Sequence, residues 1–198
     1  MRRSALAKQL IAAADNAERT RLLRANRSSA DERLAAELRD ICYATWTIDP
    51  VTAQRASSAA NALTLIAGSP VVTATAQWIK GIAEITRGRF DQAVKALRQA
   101  GKMFAALGRD NDAAQTRVAE LLALAMPGRY EEAVKAGEAA LKFFVSTRDH
   151  LAAGKVAMNL SNVVSRQGRH RDAERYGLAA RRHFTRAGEA TWLAMAEN

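Results

Sequence analysis

The sequence predicts an all-α protein built of antiparallel helical hairpins, and three observations predict it. Gly88-Arg89-Phe90-Asp91-Gln92-Ala93 recurs as Gly128-Arg129-Tyr130-Glu131-Glu132-Ala133 and as Gly168-Arg169-His170-Arg171-Asp172-Ala173, each copy forty residues after the last. The same step joins Ala60, Ala100, Ala140 and Ala180, and then Phe104, Phe144 and Phe184, so whole units repeat and not one turn alone. Between the turns apolar residues follow a helical period, and Ala, Leu and Arg dominate while Pro totals 3.

The elements follow in chain order. Leu6, Leu10, Ile11, Leu22 and Leu23 predict one or two short helices within residues 1–30, placed to cover one end of a stack. A less regular first hairpin spans about 31–67, with Pro50 suited to the first turn of its second helix, which carries Ala53 and Ala60. The next unit, 71–107, places Trp78, Ile79, Ile82 and Ile85 on its first helix and Phe90, Ala93, Val94, Leu97, Ala100 and Phe104 on its second. Gly88 supplies the left-handed residue that closes the first helix, and Asp91, like Glu131 one unit later, puts a carboxylate in the first turn of the second. Further units are predicted at 111–147 and 150–187, and residues 189–198 start another first helix. Alanines seven apart on each second helix, such as Ala133 and Ala140, let a neighbouring helix approach closely.

Composition narrows the class. With 198 residues, 48% hydrophobic and 25% charged, the chain reads as a folded soluble domain or short solenoid. Its single cysteine, Cys42, gives no internal disulfide, and the N-terminal segment lacks the apolar length of a signal peptide, so the expected location is cytoplasmic. No stretch approaches the length of a membrane span, so no membrane partner is expected. His150, His170 and His183 lie in separate segments without metal-ligand spacing, Cys42 sits in an apolar helical run, and each Gly-Arg pair follows a helix and not a strand. No metal, no cofactor and no catalytic residue is expected.

The net charge is +10, and 150–186 holds eight Lys/Arg against two Asp/Glu. On one helix Arg171, Arg175, Arg182 and Arg186 fall within about 60° of arc. The plainer reading is a solvated face; the alternative is a ridge for anions or nucleic acid. Few aromatics are interleaved to stack bases, which weighs against nucleic acid.

The Gly-Arg-aromatic turn, the small residue at Gly81, and the stretch Asn159-Leu160-Ser161-Asn162 ahead of Gly168 resemble the tetratricopeptide repeat, in its longer forty-residue form. The resemblance is strong over about 71–187, weaker over 31–70 and absent before that. It implies a right-handed α-α superhelix whose first helices line a concave groove for a peptide or helical protein segment. Carried onto this chain, the groove positions are Trp46, Trp78, Ile79, Ile82, Leu122 and Met126 at an apolar front, then Lys155, Asn159, Asn162 and Arg166 at a polar rear. The middle unit offers Gln115, Ala119 and Leu122, which departs from the family's clamp for chaperone tails.

The implied function is a non-enzymatic protein-interaction scaffold; the alternatives are a sensor array that controls an absent effector domain, and the anion ridge. Weaker still is a resemblance to bacterial arrays that precede caspase-like peptidase domains. An array ending in Trp192, Leu193 and Met195 would expose them, so the expectation is a fragment of a longer protein or a homodimer through that open end.

Overall fold

The computed structural model describes residues 2–197, and the side chains of residues 2–194. Every regular element among them is helical: α1 (Arg3–Ala12), α2 (Asn16–Ala25), α3 (Glu32–Thr45), α4 (Pro50–Ala67), α5 (Pro70–Ile85), α6 (Phe90–Ala106), α7 (Asp110–Ala125), α8 (Tyr130–Ser146), α9 (His150–Arg166), α10 (His170–Ala187) and α11 (Ala190–Glu197), with a 3-10 turn at Arg27–Ser29. From α4 onward every helix starts twenty residues after the last, so hairpins repeat at forty. The chain divides into two compact units, Met1–Ala113 and Ala114–Asn198.

In the first unit α1 lies against α3 and α4, and α2 against α4. Leu6, Leu10 and Leu23 are fully buried there. Arg19 of α2 is itself buried and caps the end of α1, its guanidinium donating to the carbonyls of Leu10 and Ala13 at 3.0 Å each. Arg3 and Asp31 form a bidentate pair that ties α1 to the start of α3 and holds the Asp31 carboxyl below the usual carboxylate range. The Asp31 carboxylate also accepts from the Leu34 amide at 3.1 Å, and Asp49, Ser69 and Asp149 cap α4, α5 and α9 in the same manner. Pro50 and Pro70 occupy the first turns of α4 and α5, where the missing N–H costs nothing.

Two kinds of turn alternate. Inside the hairpins Gly88, Gly128 and Gly168 take positive φ of 69°, 89° and 73°. The following arginine then donates its amide back five residues, Arg89 to Glu84, Arg129 to Leu124 and Arg169 to Val164. Arg129 and Arg169 also pair with the acid three residues on, Glu132 and Asp172. Gln92 replaces that acid in the earlier copy, and Arg89 turns instead to Glu84, a 5% exposed carboxylate that Arg87 also reaches at 3.1 Å. In the first hairpin Ile48 stands at the glycine position and the turn closes differently, the Asp49 amide donating to Thr45 at 2.7 Å.

Between hairpins the left-handed residue is Gly68, Gly108 and Gly188, but at the matching position of the third connection it is Arg148, with φ 58°. A side chain there strains the backbone, so Arg148→Gly should stabilise the protein by about 1 kcal/mol, glycine's larger unfolded-state entropy being set against the relief. Urea midpoints of the two proteins check this, and no gain would mean that the Arg148 side chain makes compensating contacts.

The hairpins are held together by a size exchange. Gly81 of α5 faces Leu97 of α6, where a Cβ would sit 2.5 Å from the leucine Cγ. One unit later the partners are reversed: Leu121 of α7 faces Gly137 of α8, with a corresponding approach of 2.4 Å. Each pair contains one hole and one knob, so both pack at the density of a protein interior. In the third hairpin both partners are small, Ser161 and Gly177, and a Cβ at Gly177 would meet only the serine Oγ at 3.7 Å. That serine fills its place by donating to the Ala173 carbonyl at 2.7 Å. Phe104, Phe144 and Phe184 lie at 1%, 0% and 0% exposure, one per hairpin, as do the alanines at 100, 140 and 180. Gly154 of α9 exists for the last of these phenylalanines, since a Cβ would stand 2.5 Å from the Phe184 ring.

Candidate functional site

Helix α9 offers the best-formed face. Asp149 caps it, accepting from the Ala152 amide at 3.0 Å, and Ala153, Val156, Ala157, Leu160, Val163 and Val164 bury one side. Opposite them Lys155, Asn159, Asn162 and Arg166 step by four, three and four residues and so share about 60° of arc. Lys155 and Asn159 are half-buried; Asn162 and Arg166 are exposed. The Lys155 ammonium lies 4.5 Å from the centre of the Trp192 ring, which fixes that end of the row against α11. Two amides that both donate and accept, flanked by two cations, can pair with a peptide backbone and a carboxylate. At the corresponding positions of α7, Leu122 is half-buried and Met126 is 53% exposed.

The first unit departs from the expected apolar front. Trp78, Ile79 and Ile82 are 3%, 0% and 2% exposed and belong to the core. Helix α3 packs on α5 and covers them. The Trp78 indole N–H donates to the Tyr43 hydroxyl at 2.9 Å, its ring meets Tyr43 and Phe104 edge-on, and the Arg39 guanidinium lies 5.2 Å from its centre. The surface over that core is therefore Arg39, Tyr43 and Trp46, spaced four and three residues apart on α3. Trp46 is half-buried at the helix end. Neither Arg39 nor Tyr43 recurs in the other units, which carry Ile79, Ala119 and Asn159 at the Arg39 position and Ala83, Ala123 and Val163 at the Tyr43 position; the spacing with Trp46 is the available signal. Burial pushes the Tyr43 phenol above its ordinary value.

The remaining reactive groups are occupied. Cys42 is buried, its thiol 3.8 Å from the Ala53 carbonyl, and burial pushes it up to about 12, so it stays un-ionised and is a poor nucleophile. Tyr176 donates to the Glu138 carboxylate at 2.6 Å, and burial together with that carboxylate pushes it up to about 12. Among the described residues no group of three or more His, Cys, Asp and Glu side chains could hold a metal ion. None of their helices is long and apolar enough to cross a membrane.

Trp192 and Leu193 are half-buried and not bare. Trp192 stacks on Phe184 with centroids 5.8 Å apart, so α11 covers part of the α9–α10 hairpin. The side chain of Met195 lies outside the described residues. Arg171, Arg175, Arg182 and Arg186 are all exposed along α10. Arg175 is paired with Asp172 at 3.3 Å.

Folding brings together two histidines that the sequence keeps 33 residues apart. His150, at the start of α9, and His183 of α10 face each other with their Nδ1 atoms 3.3 Å apart. Burial first, then His150, Arg186 and Arg182, hold His183 below the ordinary imidazole value. A group depressed in the folded state stabilises it fully above the unfolded imidazole range and loses that contribution as pH falls through it. Lowering the pH from 8 to 5 should therefore reduce the urea midpoint of the wild type more than that of His183→Gln. Parallel pH profiles would show that His183 is not what titrates.

Compared with known proteins, the chain matches no protein-family model and no curated sequence.

Proposed function

We propose that this chain is a non-enzymatic interaction scaffold of tetratricopeptide type, a right-handed superhelix whose first helices bind an extended or helical peptide segment. The observation that carries the reading is the α9 row, where Lys155, Asn159, Asn162 and Arg166 present an ordered set of donors and acceptors on an accessible face of a packed hairpin. Half-buried Leu122 of α7 and Met126 just past its end supply apolar contact. In the first unit the equivalent contact falls to Tyr43 and Trp46, with Trp78, Ile79 and Ile82 as the core that fixes them.

The test is a peptide selected from a random display library on the purified chain, with affinity then measured calorimetrically. Asn159→Ala with Asn162→Ala removes two side chains worth about 1 kcal/mol each in hydrogen bonding, so affinity should fall about thirtyfold. Asn162 is exposed and Asn159 half-buried on the face away from the α9 core, and circular dichroism checks that the fold persists. Unchanged affinity in the folded double variant would remove α9 from the binding face.

A further inference from the structure

We infer that the C-terminal half of α10 forms an anion site that takes a phosphate monoester carried next to an apolar group. Arg181, Arg182 and Arg186 line an open cleft of about 450 Å³ together with Thr185 and Leu178. All five of its lining residues are exposed, so a ligand there is held at the surface of the helix. Leu178 is 49% exposed and gives the cleft an apolar end.

Charge along α10 is divided. In its first half Asp172 takes both Arg169, at 2.7 Å, and Arg175, at 3.3 Å. In its second half no acidic side chain pairs with Arg182 or Arg186 among the described residues. The helix dipole explains a cation in the last turn, Arg186, but not Arg182 a turn earlier. The uncompensated charge is felt on the inner side of the helix, where Arg186 and Arg182 help to depress His183. The same field opposes a divalent cation between His150 and His183, although their nitrogens face each other. A phosphate monoester carries close to two negative charges and three acceptor oxygens, which matches several guanidinium forks better than a single carboxylate does. Thr185 already donates to the Arg181 carbonyl at 3.0 Å, so Arg182 and Arg186 supply the donors.

The site is independent of the peptide-binding face on α9, and its test uses the full chain with phenyl phosphate as probe at pH 7.5. Calorimetry should show saturable binding that weakens at least about tenfold in Arg182→Gln/Arg186→Gln, with the matching double lysine variant intermediate because an ammonium keeps the charge without the fork. Arg171→Gln/Arg175→Gln, which lowers net charge equally on the same helix, should leave affinity within about twofold. Saturating probe should also raise the titration midpoint of His183 followed by NMR. A peptide with phosphotyrosine at its centre separates the two sources of the group: tighter binding than phenyl phosphate assigns the site to phosphorylated peptides, and equal binding assigns it to small phosphate esters. Equal losses from the two glutamine pairs, or inorganic phosphate binding as tightly as phenyl phosphate, would overturn the inference and leave a diffuse basic surface.

Discussion

Phe184→Ala should destabilise the protein by about 3–5 kcal/mol, among the largest effects of a single truncation in the second unit. Phe184 is fully buried, and its ring is contacted from three directions. Gly154 of α9 lets the ring lie against the helix backbone, Ala157 and Ala180 flank it, and Trp192 of α11 stacks on it at 5.8 Å. Removing the ring leaves a cavity that none of these can fill. Glycine has no side chain to move, and the alanines are held by their helices. Trp192 also loses its stacking partner, so its fluorescence should shift toward that of a solvated indole before the main transition. Denaturant unfolding followed by both circular dichroism and tryptophan emission measures the two effects. A loss below about 1 kcal/mol with unchanged emission would show that the α9–α10 hairpin collapses around the gap.

The second large effect concerns Gly81 and Leu97. Gly81→Ala brings a Cβ to 2.5 Å from the Leu97 Cγ and 3.3 Å from the Ala93 carbonyl, so α5 and α6 must separate, at about 1–3 kcal/mol. Leu97→Ala alone empties a site that is 1% exposed and should cost about 2–5 kcal/mol. Combined, the two substitutions should cost less than their sum by about 0.5–3 kcal/mol, because the new methyl group enters the space that the leucine leaves. Gly177→Ala is the internal control. Its Cβ finds room, and it should be neutral or stabilising by up to about 1 kcal/mol from helix propensity. Strict additivity at Gly81 and Leu97 would show that the contact is absorbed by movement elsewhere.

Most of the fold was legible in the sequence because the repeat displays its own constraints. The left-handed glycines at 88, 128 and 168 stand where the chain reverses, and the aspartates at 31, 49 and 149 stand where helices begin. The site was less legible, for a physical reason. Periodicity assigns Trp78, Ile79 and Ile82 to one face of α5, but whether that face meets solvent depends on α3, which crosses it with Tyr43 and Arg39. In α9 the positions of Ile79 and Ile82 carry Asn159 and Asn162, polar enough to be placed at a surface from composition alone. Trp192 and Leu193 illustrate the opposite case. Apolar and near the chain end, they read as exposed, yet the eight-residue helix that carries them folds back on Phe184. The exchange of Gly81 and Leu97 for Leu121 and Gly137 was present in the aligned units and became meaningful only with the interhelical approach of 2.4–2.5 Å. The His150–His183 pair had no sequence signal, since neither residue recurs at the forty-residue step.

The most direct test of the scaffold reading is amide and side-chain NMR mapping of a display-selected peptide on the intact chain. The account predicts perturbations at the side-chain amides of Asn159 and Asn162 and at neighbouring backbone amides of α9, with the α10 residues around Arg182 unaffected. Perturbations confined to the outer face of α10, with the two asparagine side chains silent, would contradict it.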